Sequence, residues 1–373
     1  MRIGIVMPLA EQRGGGEQTL LDLIQHGRNV DIDWYVIFLE DGPMVEQIKT
    51  LGVAVAVFPS GRLREPHRFI QTITAIAAFS NQNQLDLLLG WMWKAHLYSG
   101  LAAIRAGLPS LWYQQEIPDD KNLLKRIVNL IPARGVITLT KDAQKAQENI
   151  SPHRSTRQVY PGVNIDRFSP EILPTKEEAR QLLDLPVDIP LIGIVGRLQR
   201  WKGIHTLIEA MPKILVHFPH ARCAIVGGKH DLEPDYLDFI KHKISDLNLE
   251  DRTILAGFQH NVPVWMQAMD VIVHASDNEP FGIVVVEAMA LGKPIVAGAA
   301  GGPTEIITPA VDGLLAPYGD SGALADAILR YLNDREFARC IGAAAHSRAQ
   351  EFSTQRYARN FVAAIHDLLP EMI

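Results

Sequence analysis

Asn278-Glu279-Pro280-Phe281-Gly282-Ile283-Val284-Val285-Val286-Glu287-Ala288-Met289-Ala290 divides into a loop and a helix. Pro280 has no N–H to give and Gly282 is permissive in φ, so Asn278 to Gly282 reads as a loop. Ile283 to Leu291 reads as an apolar helix, closed by Gly292 with Pro294 shortly after. A loop that ends in glycine and opens into a helix presents free backbone N–H groups at the positive helix end, which suits an anionic or hydroxyl-rich ligand. Glu287 lies about a turn into a helix that is otherwise nearly all apolar, and a lone carboxylate there needs a partner because burying an unpaired charge is costly. Glu279 stands eight residues earlier, on the loop. The residues alone leave two readings open. The carboxylates hold two parts of a polyol ligand, or Glu287 pairs with a neighbour and Glu279 is solvated.

At 373 residues the chain exceeds what one core usually holds, so two domains are expected. About half of the residues are apolar and about a fifth charged, as in an ordinary globular protein. A net charge of −6 argues against a nucleic-acid binder. Cys223 and Cys340 lie far apart without metal-ligand spacing, in apolar contexts, and read as buried free thiols in a reducing compartment. The start, Met1 to Pro8, has only a short apolar run before Glu11 and reads as a strand, not a signal peptide. The run from Gly282 to Gly302 is interrupted by Glu287 and Lys293, so no transmembrane helix is expected. A cytoplasmic protein is the expectation.

The first half alternates apolar runs with helical stretches. Strands are expected at Ile3–Met7, Trp34–Leu39, Val53–Phe58, Leu85–Leu89, Ser110–Tyr113 and Val136–Leu139, and helices at Thr19–His26, Met44–Leu51, Arg68–Phe79 and His96–Ala106. Such alternation argues for a parallel sheet with helices on both faces, with ligands beyond the carboxyl ends of the strands. Gly14-Gly15-Gly16 follows the first strand; it is either a flexible turn or a place where a ligand or another backbone comes close. It is not G-x-G-x-x-G, which disfavours a dinucleotide site. Asp31-Ile32-Asp33 precedes a strand, where Asp serves in a turn, and no metal site is expected there. Trp91, Trp93 and His96 follow the fourth strand and either line an acceptor pocket or cap the core. Lys121, Lys125 and Arg126, with apolar residues between them, and the cluster Arg62, Arg64, His67 and Arg68 read either as solvated faces or as a peripheral membrane contact. Four prolines between Ser169 and Pro190 mark an interdomain connection around one short helix.

The second half restarts the alternation, with strands at Leu191–Val195, Arg222–Val226, Thr253–Ala256, Asp270–His274, Pro294–Ala297 and Asp312–Leu315 and helices at Ile204–Leu215, Val262–Met269, Ile283–Leu291, Ala323–Leu332, Arg335–Gln350 and Gln355–Leu369. The loop Gly196-Arg197-Leu-Gln-Arg-Trp-Lys202-Gly203 follows the first of these strands.

Glu279-Pro-Phe-Gly…Glu287-Ala-Met-Ala, followed by Gly292-Lys-Pro-Ile-Val-Ala297 and Gly301-Gly302, closely resembles the donor-site signature of retaining glycosyltransferases of family 4. The Gly196-Arg197…Lys202-Gly203 loop is a second match. Val159-Tyr-Pro-Gly-Val-Asn164 resembles the family's crossover between domains, with Asn164 in place of the usual Asp. The resemblance covers nearly the whole chain and implies the GT-B fold: α/β, two Rossmann-like doubly wound domains facing each other across a cleft. It places an acceptor domain at 1–165, a nucleotide-sugar donor domain at 166–352 and a terminal helix at 353–373 that crosses back to the first domain. It implies transfer of a sugar from a nucleotide-sugar donor to an acceptor hydroxyl, with retention. Arg197 and Lys202 would hold the diphosphate, where basic groups stabilise the departing charge without a metal. Glu279, the third member of the catalytic set, would hold sugar hydroxyls with the backbone N–H groups around Phe281, Gly282 and Ile283. Glu287 would take the ribose, and Gly15 and Gly16 would face the donor from the other domain. No cofactor is implied, the nucleotide sugar being a co-substrate. Gly107 to Pro118 resembles the segment leading to an active-site histidine, but Gln115 stands there; it can hydrogen-bond a sugar and cannot take a proton. A nucleotide-sugar epimerase on the same fold and a non-catalytic nucleotide-sugar-binding protein are the alternatives.

Overall fold

The computed structural model describes residues 1–12, 14–27, 32–61, 65–118 and 123–370; for 123–125 it describes the backbone alone. It comprises two compact units, one of Met1–Gly162 with the carboxyl-terminal helix that starts at Thr354, the other of Val163–Ser353. Each is a parallel sheet with helices on both faces, the doubly wound α/β architecture expected from the alternation.

In the first unit the strands are β1 (Arg2–Met7), β2 (Asp33–Phe38), β3 (Ala54–Val57), β4 (Leu87–Trp91), β5 (Ser110–Gln114), β6 (Gly135–Thr138) and β7 (Ser155–Gln158), in the order β3-β2-β1-β4-β5-β6-β7. The helices are α1 (Gly15–His26), α2 (Pro43–Thr50), α3 (Pro66–Gln82), α4 (Met92–Ala106), α5 (Leu123–Leu130) and α6 (Lys141–Ile150). Ile3, Ile5, Val6 and Met7 are all fully buried, which is why β1 reads as an unbroken apolar run. Its side chains alternate between faces. Ile5 and Met7 join one core layer, with residues of α1 and α2, and Val6 joins another with residues of α3 and α4.

In the second unit β8 (Leu191–Val195), β9 (Arg222–Val226), β10 (Thr253–Gly257), β11 (Val271–His274), β12 (Ile295–Gly298) and β13 (Leu314–Ala316) run in the order β10-β9-β8-β11-β12-β13. The helices are α7 (Lys176–Leu182), α8 (Ile204–His217), α9 (Tyr236–Asp246), α10 (Val262–Ala268), α11 (Ile283–Ala290), α12 (Pro303–Ile306), α13 (Ser321–Asn333) and α14 (Arg335–Ala349). The last helix, α15 (Thr354–Leu368), packs in the first unit, where the Phe361 ring meets Tyr113 at 5.0 Å and Trp91 at 5.6 Å.

Three elements escaped the sequence reading. β7 is Ser-Thr-Arg-Gln, a polar edge strand without an apolar run to announce it, and α6 and α9 mix apolar with many charged residues. One thiol departs from expectation as well. Cys223 is buried in β9, but Cys340 is exposed on the outer face of α14, next to the exposed Arg339. Among the described residues no helix is long and apolar enough to cross a membrane.

The proline-rich connection of the second unit is fastened by Arg180, which is 1% exposed. Its guanidinium donates to the carbonyls of Pro186, Val187, Ile189 and Ala268 and to Asp270 Oδ2 at 2.6 Å. Asp270 also accepts from Leu191 N and Lys176 Nζ. Burial pushes the Asp270 carboxyl up, but Arg180, the Leu191 N–H and Lys176 outweigh it and hold it below its ordinary value. A cavity of about 450 Å³ opens here, at the amino-terminal end of β8 and β11 and away from the loops described below. Arg180→Met should strand the Asp270 carboxylate and cost about 3–5 kcal/mol, the usual effect of breaking a buried pair. Urea denaturation checks this, and Arg180→Met/Asp270→Asn should recover part of the loss.

Candidate functional site

The strand order reverses between β8 and β11, and in open parallel sheets ligands bind at such a point, beyond the carboxyl ends of the strands. The loop leaving β8 carries Arg197 and Lys202. It ends in a tight turn, Arg200–Lys202, capped by Gly203, which opens α8. Gly203 has φ 69°, and a Cβ there would collide with the Ala275 carbonyl just past β11. Glycine therefore lets the two loops touch backbone to backbone. The Trp201 carbonyl accepts from Asp277 N at 2.7 Å, and Lys202 Nζ lies 4.0 Å from the Trp201 ring centroid. The contact puts Lys202 Nζ 2.5 Å from Glu279 Oε2, with both side chains largely buried.

Glu279 is fixed by its backbone too. Its carbonyl accepts from Gly302 N at 2.7 Å, and Glu279 bridges to Gly301. Burial pushes its carboxyl up, but Lys202 and His274 together overcome this and hold it at about 2, so it is ionised. Beyond it Gly282, at φ 110°, turns the chain into α11. Among the described residues the N–H groups of Ile283 and Val284 are unpaired, as the first turn of a helix requires. Phe281 is buried against Phe352 at 5.7 Å, so it offers its backbone rather than its ring.

Glu287 is the opposite case. Its carboxylate makes no hydrogen bond or ion pair with any described residue. Burial pushes it up to about 7, against the weaker pull of Arg167. The paired reading of Glu287 and the solvated reading of Glu279 are thus both reversed. Arg197 is exposed on its loop, without a side-chain partner among the described residues.

The first unit has its own reversal, between β1 and β4. Gly15 and Gly16 open α1 there. Gly16 O accepts from Trp91 Nε1 and Thr19 Oγ1, each at 2.9 Å, and Gln115 Nε2 donates to Thr19 Oγ1 at 3.3 Å. A Cβ on Gly16 would meet Gln115 Oε1 and Met92 Cε, the ends of two flexible side chains that pack closely on the start of α1. For two residues the choice between pocket and core falls to the core. Trp91 is fully buried between Tyr113 and Phe361 and props the glycine loop instead of lining a pocket. His96 is fully buried and stacked on Trp112 at 4.9 Å, and burial pushes its pKa down to about 3; it is a neutral core residue out of a ligand's reach. Trp93 packs half-buried against the cluster of Trp112, Val128 and Val136.

Asp31, Arg62, Arg64 and Lys121 lie outside the described residues, as does the side chain of Lys125. Among the described residues no group of three or more His, Cys, Asp or Glu is placed to hold a metal ion. Sequence reasoning missed His274 and Ser276. His274 Nε2 lies 3.2 Å from Glu279 Oε2 and 3.3 Å from Ser276 Oγ. The available signal was a histidine closing an otherwise apolar strand five residues before Glu279.

Residues 175–348 match the family described as glycosyl transferases group 1. A D-inositol 3-phosphate glycosyltransferase of Corynebacterium urealyticum is 28% identical over 299 residues, 78% of this chain and 70% of that protein. One of Saccharomonospora viridis is 26% identical over 91% of this chain and 85% of that protein. The crystal structure of Anabaena Alr3699/HepE in complex with UDP superposes with a TM-score of 0.86 at 26% identity, over 98% of this chain and 100% of that one, and the same protein has been solved with UDP-glucose. The chain thus has the GT-B fold, its residues 175–348 match the glycosyl transferases group 1 family, and the protein is a glycosyltransferase.

Proposed function

We propose that the protein transfers a sugar from a nucleotide-sugar donor to an acceptor hydroxyl with retention at the anomeric carbon. The observation that carries the reading is the meeting of Lys202 and Glu279, from two loops, at the strand-order reversal beside the amino terminus of α11. In the reaction the bond from the anomeric carbon to the β-phosphate oxygen breaks and a bond to the acceptor oxygen forms. The acceptor's proton passes to the departing diphosphate, so no side-chain base is needed where Gln115 stands. Lys202 and the free Arg197 stabilise the growing phosphate charge without a metal ion. Glu279 and the N–H groups following it hold sugar hydroxyls, and Glu287 accepts from the ribose.

The complexes of the Anabaena protein with UDP and UDP-glucose support a uridine donor as the first to test. Diphosphate release from UDP-, GDP- and ADP-sugars, without acceptor or added metal, should single out one donor. Lys202→Ala should lower that rate by roughly 10²–10³, about 3–4 kcal/mol in the transition state. An undiminished rate would exclude the assignment.

Glu287 links binding to stability. Its folded pKa of about 7 lies above the 4.5 of an ordinary glutamate carboxyl, so the stability it contributes is complete below 4.5 and lost as pH rises through 7. Glu287→Gln should therefore raise stability at pH 8 by on the order of 2 kcal/mol, leave it little changed near pH 4, and weaken nucleotide binding. Thermal melts at the two pH values with and without UDP test both halves.

The acceptor-side surface of α5 exposes Arg126, Ile127 and Leu130. This supports a peripheral contact with an anionic membrane. The protein should sediment with anionic vesicles at low salt and not at high salt. Recovery in the supernatant at low salt would remove the contact.

A further inference from the structure

β11 ends on His274, a ring only 3% exposed. Its Nε2 lies 3.2 Å from Glu279 Oε2 and 3.3 Å from Ser276 Oγ. A carboxylate only accepts, so Nε2 carries the proton in the contact with Glu279. Nδ1 is buried and has no hydrogen-bond partner among the described residues. His274 thus acts on Glu279 as a hydrogen-bond donor through Nε2. Ser276, itself 1% exposed, fixes the ring from the next turn of the chain.

The two oxygens of Glu279 consequently differ. Oε2 is held from two sides, by Lys202 Nζ at 2.5 Å and His274 Nε2 at 3.2 Å. Oε1 makes no hydrogen bond or ion pair with any described residue and remains available to a ligand. Lys202, however, has two claims on it. It anchors Glu279, and in the reading above it also serves the diphosphate. A lysine ammonium on a flexible stem readily exchanges partners. A carboxylate whose sole anchor was Lys202 would be released when Lys202 turned away.

We infer that His274 is a positioning residue, which keeps Glu279 Oε1 aimed at the donor sugar's hydroxyls while Lys202 turns to the diphosphate. The inference rests on the nucleotide-sugar reading and adds to it that sugar and diphosphate are recognised through separately anchored groups. It predicts a defect confined to the sugar. Loss of the His274 donor leaves Lys202 and Arg197 to bind nucleoside diphosphate as before, but loosens Glu279 whenever Lys202 departs.

The test titrates wild type, His274→Leu and His274→Gln with UDP and with UDP-glucose (or with whichever panel donor wild type turns over, and its diphosphate) and measures the donor KM for each. Leucine fills the space without a donor, and glutamine returns an N–H of similar reach. His274→Leu should lose about ten-fold in affinity and in KM for the nucleotide sugar, the scale of one hydrogen bond to a charged group. It should bind the diphosphate within about two-fold of wild type, and His274→Gln should recover most of the sugar affinity. Equal losses for both ligands, or none for either, in variants whose melting temperatures match wild type would overturn the inference and leave the nucleotide-sugar reading standing. Failure of the glutamine variant to recover affinity that the leucine variant lost would also overturn it. Wild type that binds no nucleotide or nucleotide sugar of the panel would remove the reading itself, and the inference with it.

Discussion

One carboxylate oxygen, Glu279 Oε2, receives Lys202 from one loop and His274 from the strand beside it, and the geometry of the second unit's rim follows from keeping that oxygen in place. A buried carboxylate is tolerable only when paired and hydrogen-bonded. The pairing here crosses 77 residues of sequence, so it requires β8 and β11 to be neighbours and their outgoing loops to be in register. Gly203 meets the first need of that register by admitting the Ala275 carbonyl, and the bond from Gly302 N to the Glu279 carbonyl meets the second. The sheet order is thus not incidental to the site. Only a reversal between adjacent strands brings two such loops to one point.

The first unit repeats the plan with different materials. Its reversal between β1 and β4 also collects a glycine-started helix and the residues after two neighbouring strands. What it assembles is uncharged: Gly16, the Trp91 indole N–H, Thr19 and Gln115 form a short hydrogen-bonded chain. Trp91 is fully buried, so the amino terminus of α1 is braced from the core, and α15 completes the brace by packing Phe361 against Trp91 and edge-on to Tyr113. The carboxyl-terminal helix thereby helps to shape a loop more than 330 positions earlier in the chain.

Most of the fold was legible because the strands are buried on both faces. Such strands announce themselves as short apolar runs, as Ile3–Met7 and Leu191–Val195 do. β7 gives no such signal, because an edge strand of Ser-Thr-Arg-Gln is held by one neighbour's backbone and little else. Of the charged site residues, Glu287 was legible for a related reason, as a lone carboxylate in an apolar helix, whereas Glu279, Arg197 and Lys202 were legible through the resemblance of their loops to the glycosyltransferase signature. His274 and His96 show where this logic fails. Both follow or close an apolar strand, and the sequence does not tell which ring meets a carboxylate and which meets only Trp112. That difference is set by how the loop after each strand folds back, which for Glu279 depends on the distant Lys202 and on the bond from Gly302 N.

The two glutamates of the motif carry the most chemical information, because one fold pushes them in opposite directions. Glu279 is held at about 2, already ionised and already oriented. Glu287 is pushed up to about 7, desolvated and without a partner. Environments that drive two carboxyls apart in this way are a mark of functional sites, since stability alone would pair or replace the second one. The fold bears the cost of Glu287 in the free protein. Protonation removes that cost, and a ligand that supplied hydroxyl donors would offset it as well, for a carboxylate that accepts two hydrogen bonds regains the solvation burial withheld from it. Glu279 asks nothing comparable of the ligand, being already satisfied on one oxygen. A ligand with a diol for Glu287, hydroxyls for Glu279 and negative charge for Lys202 and Arg197 answers all of these groups at once. A nucleoside diphosphate sugar carries all three along one molecule, with the charge between the diol and the sugar hydroxyls.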